Sequence, residues 1–247
     1  MDFKIENSQI ALFFPKIPAI RKTLFSLEES LGDQFVKPFT LLQIPDEAFE
    51  EIPRIQAKTK LNHTLMNIAQ SNISLVTNFD NGWESDWSKC REYLTKNFKL
   101  IYSIADCIGA KTLSYSGFSI NVFIPFKDEK DALNHMNRVF FPNKDLNKLH
   151  EFTMRFVHKL QDKFFINYTY TSVIKYKANN PFIITPAYLS ASEYGINLNI
   201  DINDRYGAGY QKGYISDPDI GDQLLNSMNF IVTQKLDNLI SQGEFEL

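Results

Sequence analysis

Residues 201–222, DINDRYGAGYQKGYISDPDIGD, hold most of the groups in this 247-residue chain from which chemistry could be assembled. Tyr206, Tyr210 and Tyr214 recur at intervals of four, separated by Gly207, Gly209 and Gly213, with Arg205 and Lys212 beside them. A loop loosened by glycine could close over a ligand, its rings supplying flat apolar platforms and its two cations donating to an anion. It is not a phosphate loop, because no Lys-Ser or Lys-Thr follows the last glycine, and it is too long for a dinucleotide fingerprint.

On the strand before this loop, Asp201 and Asn203 should project from one outward face, with Asp204 and Arg205 just beyond. Paired carboxylates there could act as acid and base or hold a metal. Asp217, Asp219 and Asp222 resemble the opening of a calcium loop, but the twelfth position from Asp217 is Met228, where a bidentate Glu is required. Acids in a first helical turn are explained by the helix dipole instead. The four histidines, His63, His135, His150 and His158, make no HxxxH, HxH or HxxE spacing. His158 falls in an apolar register, and His135 lies four residues after Asp131, a common helical pair. Cys90 and Cys107 sit on one helix, roughly 25 Å apart at about 1.5 Å per residue, without a local base. GxSxG is absent. No metal or cofactor is implied.

Charge adds a second candidate surface. Net charge is −3 and both halves of the chain are nearly balanced, which argues against general phosphate binding. Locally, Arg155, Lys159, Lys175 and Lys177 should share the outward face of a hairpin with Asn167, Thr169 and Thr171, a short cationic patch that could dock an acidic segment, a phosphate or RNA. Arg54, Gln56, Lys58 and Lys60 alternate outward in the same manner.

The elements that must position these groups follow from periodicity. Phe152 to Leu160, Phe164 to Tyr176 and Tyr194 to Asn203 alternate apolar and polar residues, and Asp162 with Lys163 forms a turn between the first two. Strands are expected at Ser8–Phe14, Phe39–Ile44, Pro53–Leu61, Thr64–Ala69 and Ile73–Phe79, with a tight turn at Asn62 and His63. Helices are expected at Pro18–Leu31, at Ser85–Ile108, after Asp128, and at Pro218–Ser241 capped by Asp217. One polar face per sheet implies antiparallel pairing. The fold class is therefore α+β, a mainly antiparallel sheet packed on amphipathic helices.

QIALFFPKIPAIRKTL and SINVFIPFKDEKDAL both read strand, proline, helix, and each precedes several strands and a long helix. We therefore expect two β-α-βββ-α halves, 1–113 and 114–247. In element order alone this is similar to duplicated saddle-like proteins such as the TATA-box binders.

The chain lacks a disulfide framework, a basic, apolar leader and any run of about 20 apolar residues, so a cytoplasmic protein without a membrane span is expected. The function expected is non-catalytic binding or regulation, of a protein partner or a small ligand, through a polar sheet face and the tyrosine-glycine loop. The residues expected to bind are Arg205, Tyr206, Tyr210, Lys212, Tyr214, Arg155, Lys159 and Lys175. An enzyme built on Asp201, Asp204 and Arg205 is the alternative. A nucleic-acid binder using the basic patch is the second.

Overall fold

Strict alternation places Ile196, Leu198, Ile200 and Ile202 on one side of a strand and Asn197, Asn199, Asp201 and Asn203 on the other, and the first four are fully buried. The same division runs through the whole sheet. The computed structural model describes residues 2–142, 149–178 and 189–245. The proline-punctuated segment 179–188 lies outside them.

The strands are β1 (Lys4–Phe13), β2 (Thr40–Leu41), β3 (Ile55–Lys58), β4 (Thr64–Ile68), β5 (Asn72–Asn78), β6 (Tyr115–Phe126), β7 (Thr153–Leu160), β8 (Phe164–Ala178) and β9 (Leu189–Asn203). The helices are α1 (Leu24–Ser30), α2 (Trp87–Cys107), α3 (Glu129–Phe140), α4 (Arg205–Tyr210), α5 (Pro218–Phe230) and α6 (Leu236–Ser241), with a 3₁₀ turn at Ile20–Thr23 before α1 and a π turn at Ile231–Lys235 between α5 and α6.

Among the described residues the strands form one nine-stranded antiparallel sheet in the order β2-β3-β4-β5-β1-β6-β9-β8-β7. This is the α+β class expected. In each half the first strand pairs with the last, β1 with β5 and β6 with β9, and the remaining strands follow outward. The two arrangements meet at the β1–β6 pair, in the middle of the sheet.

Caps define the helix starts. Asp86, Asp128 and Asp217 each accept a hydrogen bond from a backbone N–H in the first turn, of Lys89, Asp131 and Ile220. The apolar stripes of α2 and α5 then face the sheet. Phe98 of α2 meets Phe118 of β6 edge-on with centroids 5.3 Å apart, and Leu224, Leu225 and Met228 of α5 are buried. Each such side chain contributes on the order of 1.5–3 kcal/mol through burial. α2 packs on β1 and β5, α3 on β6, β8 and β9, and α5 on β6 and β9, all through the sheet's apolar side.

Several local expectations shift. The β7–β8 turn is made by Gln161 and Asp162, whose φ values are 52° and 51°, one residue earlier than the spacing suggested. The strand expected at Phe39–Ile44 shrinks to Thr40–Leu41, because residues beyond it turn away to wrap Arg54. His135 is buried rather than paired with Asp131: its Nε2 lies 2.8 Å from the Ile240 carbonyl and its Nδ1 3.1 Å from Arg138. Burial, first of all, holds its pKa below the usual histidine value.

Candidate binding site on the open sheet face

Because α2, α3 and α5 share one side, the other side of the sheet carries none of these three helices, and the short α4 touches it at one end, against β6 and β8. Strand register determines what it displays. Asn7, Gln9, Ala11 and Phe13 of β1 stand opposite Asn121, Ser119, Gly117 and Tyr115 of β6. Gly117, Ser119 and Asn121 in turn stand opposite Asn203, Asp201 and Asn199 of β9, and Asp201 opposite Asn167 of β8.

Polar side chains on this face bond across neighbouring strands in two groups, one spanning β1, β6 and β9 and the other β9, β8 and β7. Asn121 donates from Nδ2 to Asn7 Oδ1 (2.6 Å) and Asn199 donates to Asn121 Oδ1 (2.9 Å). Asn167 and Asn203 both donate to Oδ2 of Asp201, at 2.9 and 3.0 Å, and Arg155 of β7 donates to Asn167 Oδ1 at 2.7 Å. Burial raises the pKa of Asp201, while the Asn203 and Asn167 bonds and the nearby Arg155 and Arg205 oppose that rise.

In the middle of this array lies a depression of about 360 Å³. Its floor is Ala11 and Gly117, its border includes Ser119, Asp201 and Arg205, and one end is closed by Phe13 and Tyr115, stacked at 4.2 Å. Gly117 needs no special backbone angle. A Cβ there would meet its first neighbour, Asn203 Cβ, at an ordinary 3.6 Å, so its missing side chain leaves open space above the sheet. A glycine inside a strand commonly marks the close approach of a ligand or another backbone.

The residues singled out from sequence fall in different places. The flexible loop expected after β9 begins instead as α4. Arg205 is exposed and its guanidinium carbon sits 5.3 Å from the Tyr115 ring centre, at the depression. Tyr206 and Tyr210, one turn apart, stack at 4.7 Å; Tyr206 meets Phe165 edge-on and Tyr210 is 73% exposed. Lys212 is exposed. Tyr214 turns inward, donating from its hydroxyl to Asp204 Oδ2 at 2.7 Å, and its ring lies so near Gly207 that a Cβ there would approach within 2.7 Å. Asp204 is 0% exposed and also accepts from the Ser116 N–H. The expected Asp201–Asp204 carboxylate pair is therefore divided, with one member at the open face and the other sealed beneath it.

The expected basic patch is largely compensated. Lys175 lies between Glu6 and Glu193 and over the Phe123 ring. Lys159 pairs with Asp162 at 2.6 Å and lies 5.2 Å from the Tyr206 ring centre. Glu193 and Asn203 are separated by ten residues of β9, roughly 33 Å at about 3.3 Å per residue. Lys175 is thus remote from the Arg205 end, whereas Arg155 joins Asp201 through Asn167. Arg54, expected outward, is 0% exposed: it donates to the carbonyls of Ile52, Pro45, Ala48 and Phe49.

Cys90 is buried with its thiol pushed up to about 12, chiefly by burial, which makes it a poor nucleophile. Among the described residues no three His, Cys, Asp or Glu side chains gather as a metal site. Gly117, Ser119 and Tyr115 were not identified as a site from sequence, whereas Asn167 was expected on the outward hairpin face; the signal was a glycine and a serine in the outward register of a strand whose partners are known only once the sheet is assembled. No protein-family model matches the chain, and no curated protein matches it in sequence. Its function has to be read from the face itself.

Proposed function

We propose that this is a non-catalytic binding or regulatory protein that engages a partner protein on the open face of its sheet, over Gly117. The observation that carries the reading is the depression floored by Ala11 and Gly117 within a hydrogen-bonded field of amides, with Asp201 and Arg205 at its border. Such a surface has donors and acceptors already fixed in place, which limits the ordering cost of association. Tyr206 and Tyr210 at the end of the sheet add exposed aromatic area of the type that anchors interfaces. The burial of Asp204 weighs against paired acid–base chemistry, and the ion pairs of Lys159 and Lys175 weigh against a polyanion. A cytoplasmic location is part of the proposal, supported by two unpaired cysteines and by the absence, among the described residues, of any helix long and apolar enough to cross a membrane.

Affinity purification from the native cells tests this. Wild-type protein should retain one stoichiometric companion, and the exposed double substitution Arg205→Ala/Tyr210→Ala should lose most of it with an unchanged circular dichroism spectrum. Equal capture by a folded double variant would remove this end of the sheet from the interface.

A further inference from the structure

On the helical side of the sheet, the turn joining β3 to β4 and the exposed flank of α2 enclose a cavity of about 680 Å³ that plays no part in the open-face site. Phe35 and Leu100 give it apolar wall, and Leu61, 84% exposed, stands at its mouth. Its floor is a hydrogen-bonded chain. His63 Nε2 lies 2.8 Å from the Tyr93 hydroxyl, which lies 2.8 Å from Thr64 Oγ1; Thr64 Oγ1 lies 3.0 Å from Thr77 Oγ1, which accepts from Asn97 Nδ2 at 3.2 Å. Thr64 and Asn97 are buried, their side chains bonded within this chain, and they line the cavity from below.

The electrostatics of the rim are one-sided. Lys60, Lys96 and Lys99 line the cavity and no carboxylate does. Lys96 is held by Glu92 at 2.8 Å, whereas Lys60 and Lys99 have no ion pair among the described residues. A second cavity of about 490 Å³ shares Leu61, His63 and Tyr93 and continues past them to Phe79 and Trp83. Tyr93 thus divides a trough whose one end is cationic and whose other end sets Phe79 and Trp83 beside the carboxylate Asp80, so that an anion is drawn to the lysine end; its ring meets His63 at 5.1 Å and Trp83 at 6.0 Å.

We propose that this trough is a second ligand site, one that binds a small organic anion: the carboxylate or phosphate is held by Lys60 and Lys99, and a flat apolar body lies along Leu61 and Tyr93. Apolar wall, a few convergent polar groups and a volume of this order are the usual make-up of a small-molecule site. The cations supply attraction and orientation, the rings supply the apolar area, and the prebonded floor needs no rearrangement.

Phenyl phosphate is a suitable probe, followed by isothermal titration and by amide NMR shifts of the whole chain, with inorganic phosphate and phenol as single-feature controls. Saturable shifts confined to residues 59–64 and 93–103 are expected with phenyl phosphate, with weaker binding for either control. Lys60→Ala/Lys99→Ala, at solvent-exposed positions, should weaken binding roughly tenfold without altering the fold, as the loss of two partly screened contacts predicts. Ser103→Trp, which fills the cavity from an exposed helix position, should abolish it. The proposal is overturned if no saturable shift occurs there at roughly 10 mM probe, weaker than any useful site of this size, or if the lysine variant binds phenyl phosphate as well as wild type.

Discussion

Asp201 is the side chain in which the open face concentrates its electrostatics. Both amide donors reach the same oxygen, Oδ2, so an asparagine carbonyl at this position could accept the same two bonds. Burial raises the carboxyl's pKa above the ordinary 3.8, which means that the folded chain holds the proton more tightly than the unfolded chain does. Folded stability conferred by this group is therefore greatest when it is protonated, and it declines as pH rises through the folded-state value. Asp201→Asn, which never ionises, should show a melting temperature that gains on wild type as pH is raised from about 4 to about 7. A difference that stayed constant or shrank with pH would mean that Arg155 and Arg205 more than offset the burial. The prominence of Asp201 was legible in the sequence, because its alternation with Ile200 and Ile202 put it outward. The separation of Asp204 was not, since that residue lies one position past the end of β9, where the pleat no longer dictates direction.

At the scale of elements the same limit recurs. Alternation from Arg54 to Lys60 suggested an outward cationic strand, but β3 begins only at Ile55, and Arg54 precedes it as the hub of the 45–52 loop. A guanidinium can be buried where several carbonyls converge on its N–H groups, and each hydrogen bond to a charged group is worth about 1.5–3 kcal/mol. Arg54→Met would leave those carbonyls unsatisfied, and we expect a loss of about 3 kcal/mol in chemical denaturation. Destabilisation below about 1 kcal/mol would show that the loop is held by other contacts. By contrast, the stripe of α5 and its continuation, Leu225, Met228, Val232, Leu236 and Leu239, is buried as its spacing required, even across the π turn. Capping at Asp217 was equally legible, because an Asp-Pro start is a local signal. Turn and loop residues were less so, since their conformations depend on what the rest of the chain packs against them.

For the whole molecule, the α+β class and the antiparallel pairing follow from strands that are polar on one side. The strand order required the assembled sheet: nothing in the local pattern states that β1 and β6 lie side by side, and it is this pairing that sets Ala11 opposite Gly117. The central depression is therefore a property of the assembly, and the tyrosine-glycine segment that looked most distinctive by sequence is divided by it. Arg205 borders the depression, Tyr206 and Tyr210 stack on each other outside it at the end of the sheet, and Tyr214 braces the buried Asp204. Gly117 is the position at which the binding account stands most exposed to test, because a side chain there enters the depression without entering the core. The decisive measurement is capture of the partner by wild-type and Gly117→Leu proteins of matched melting temperature. The account predicts a folded variant that retains little of the companion bound by wild type; undiminished capture by that variant would contradict it.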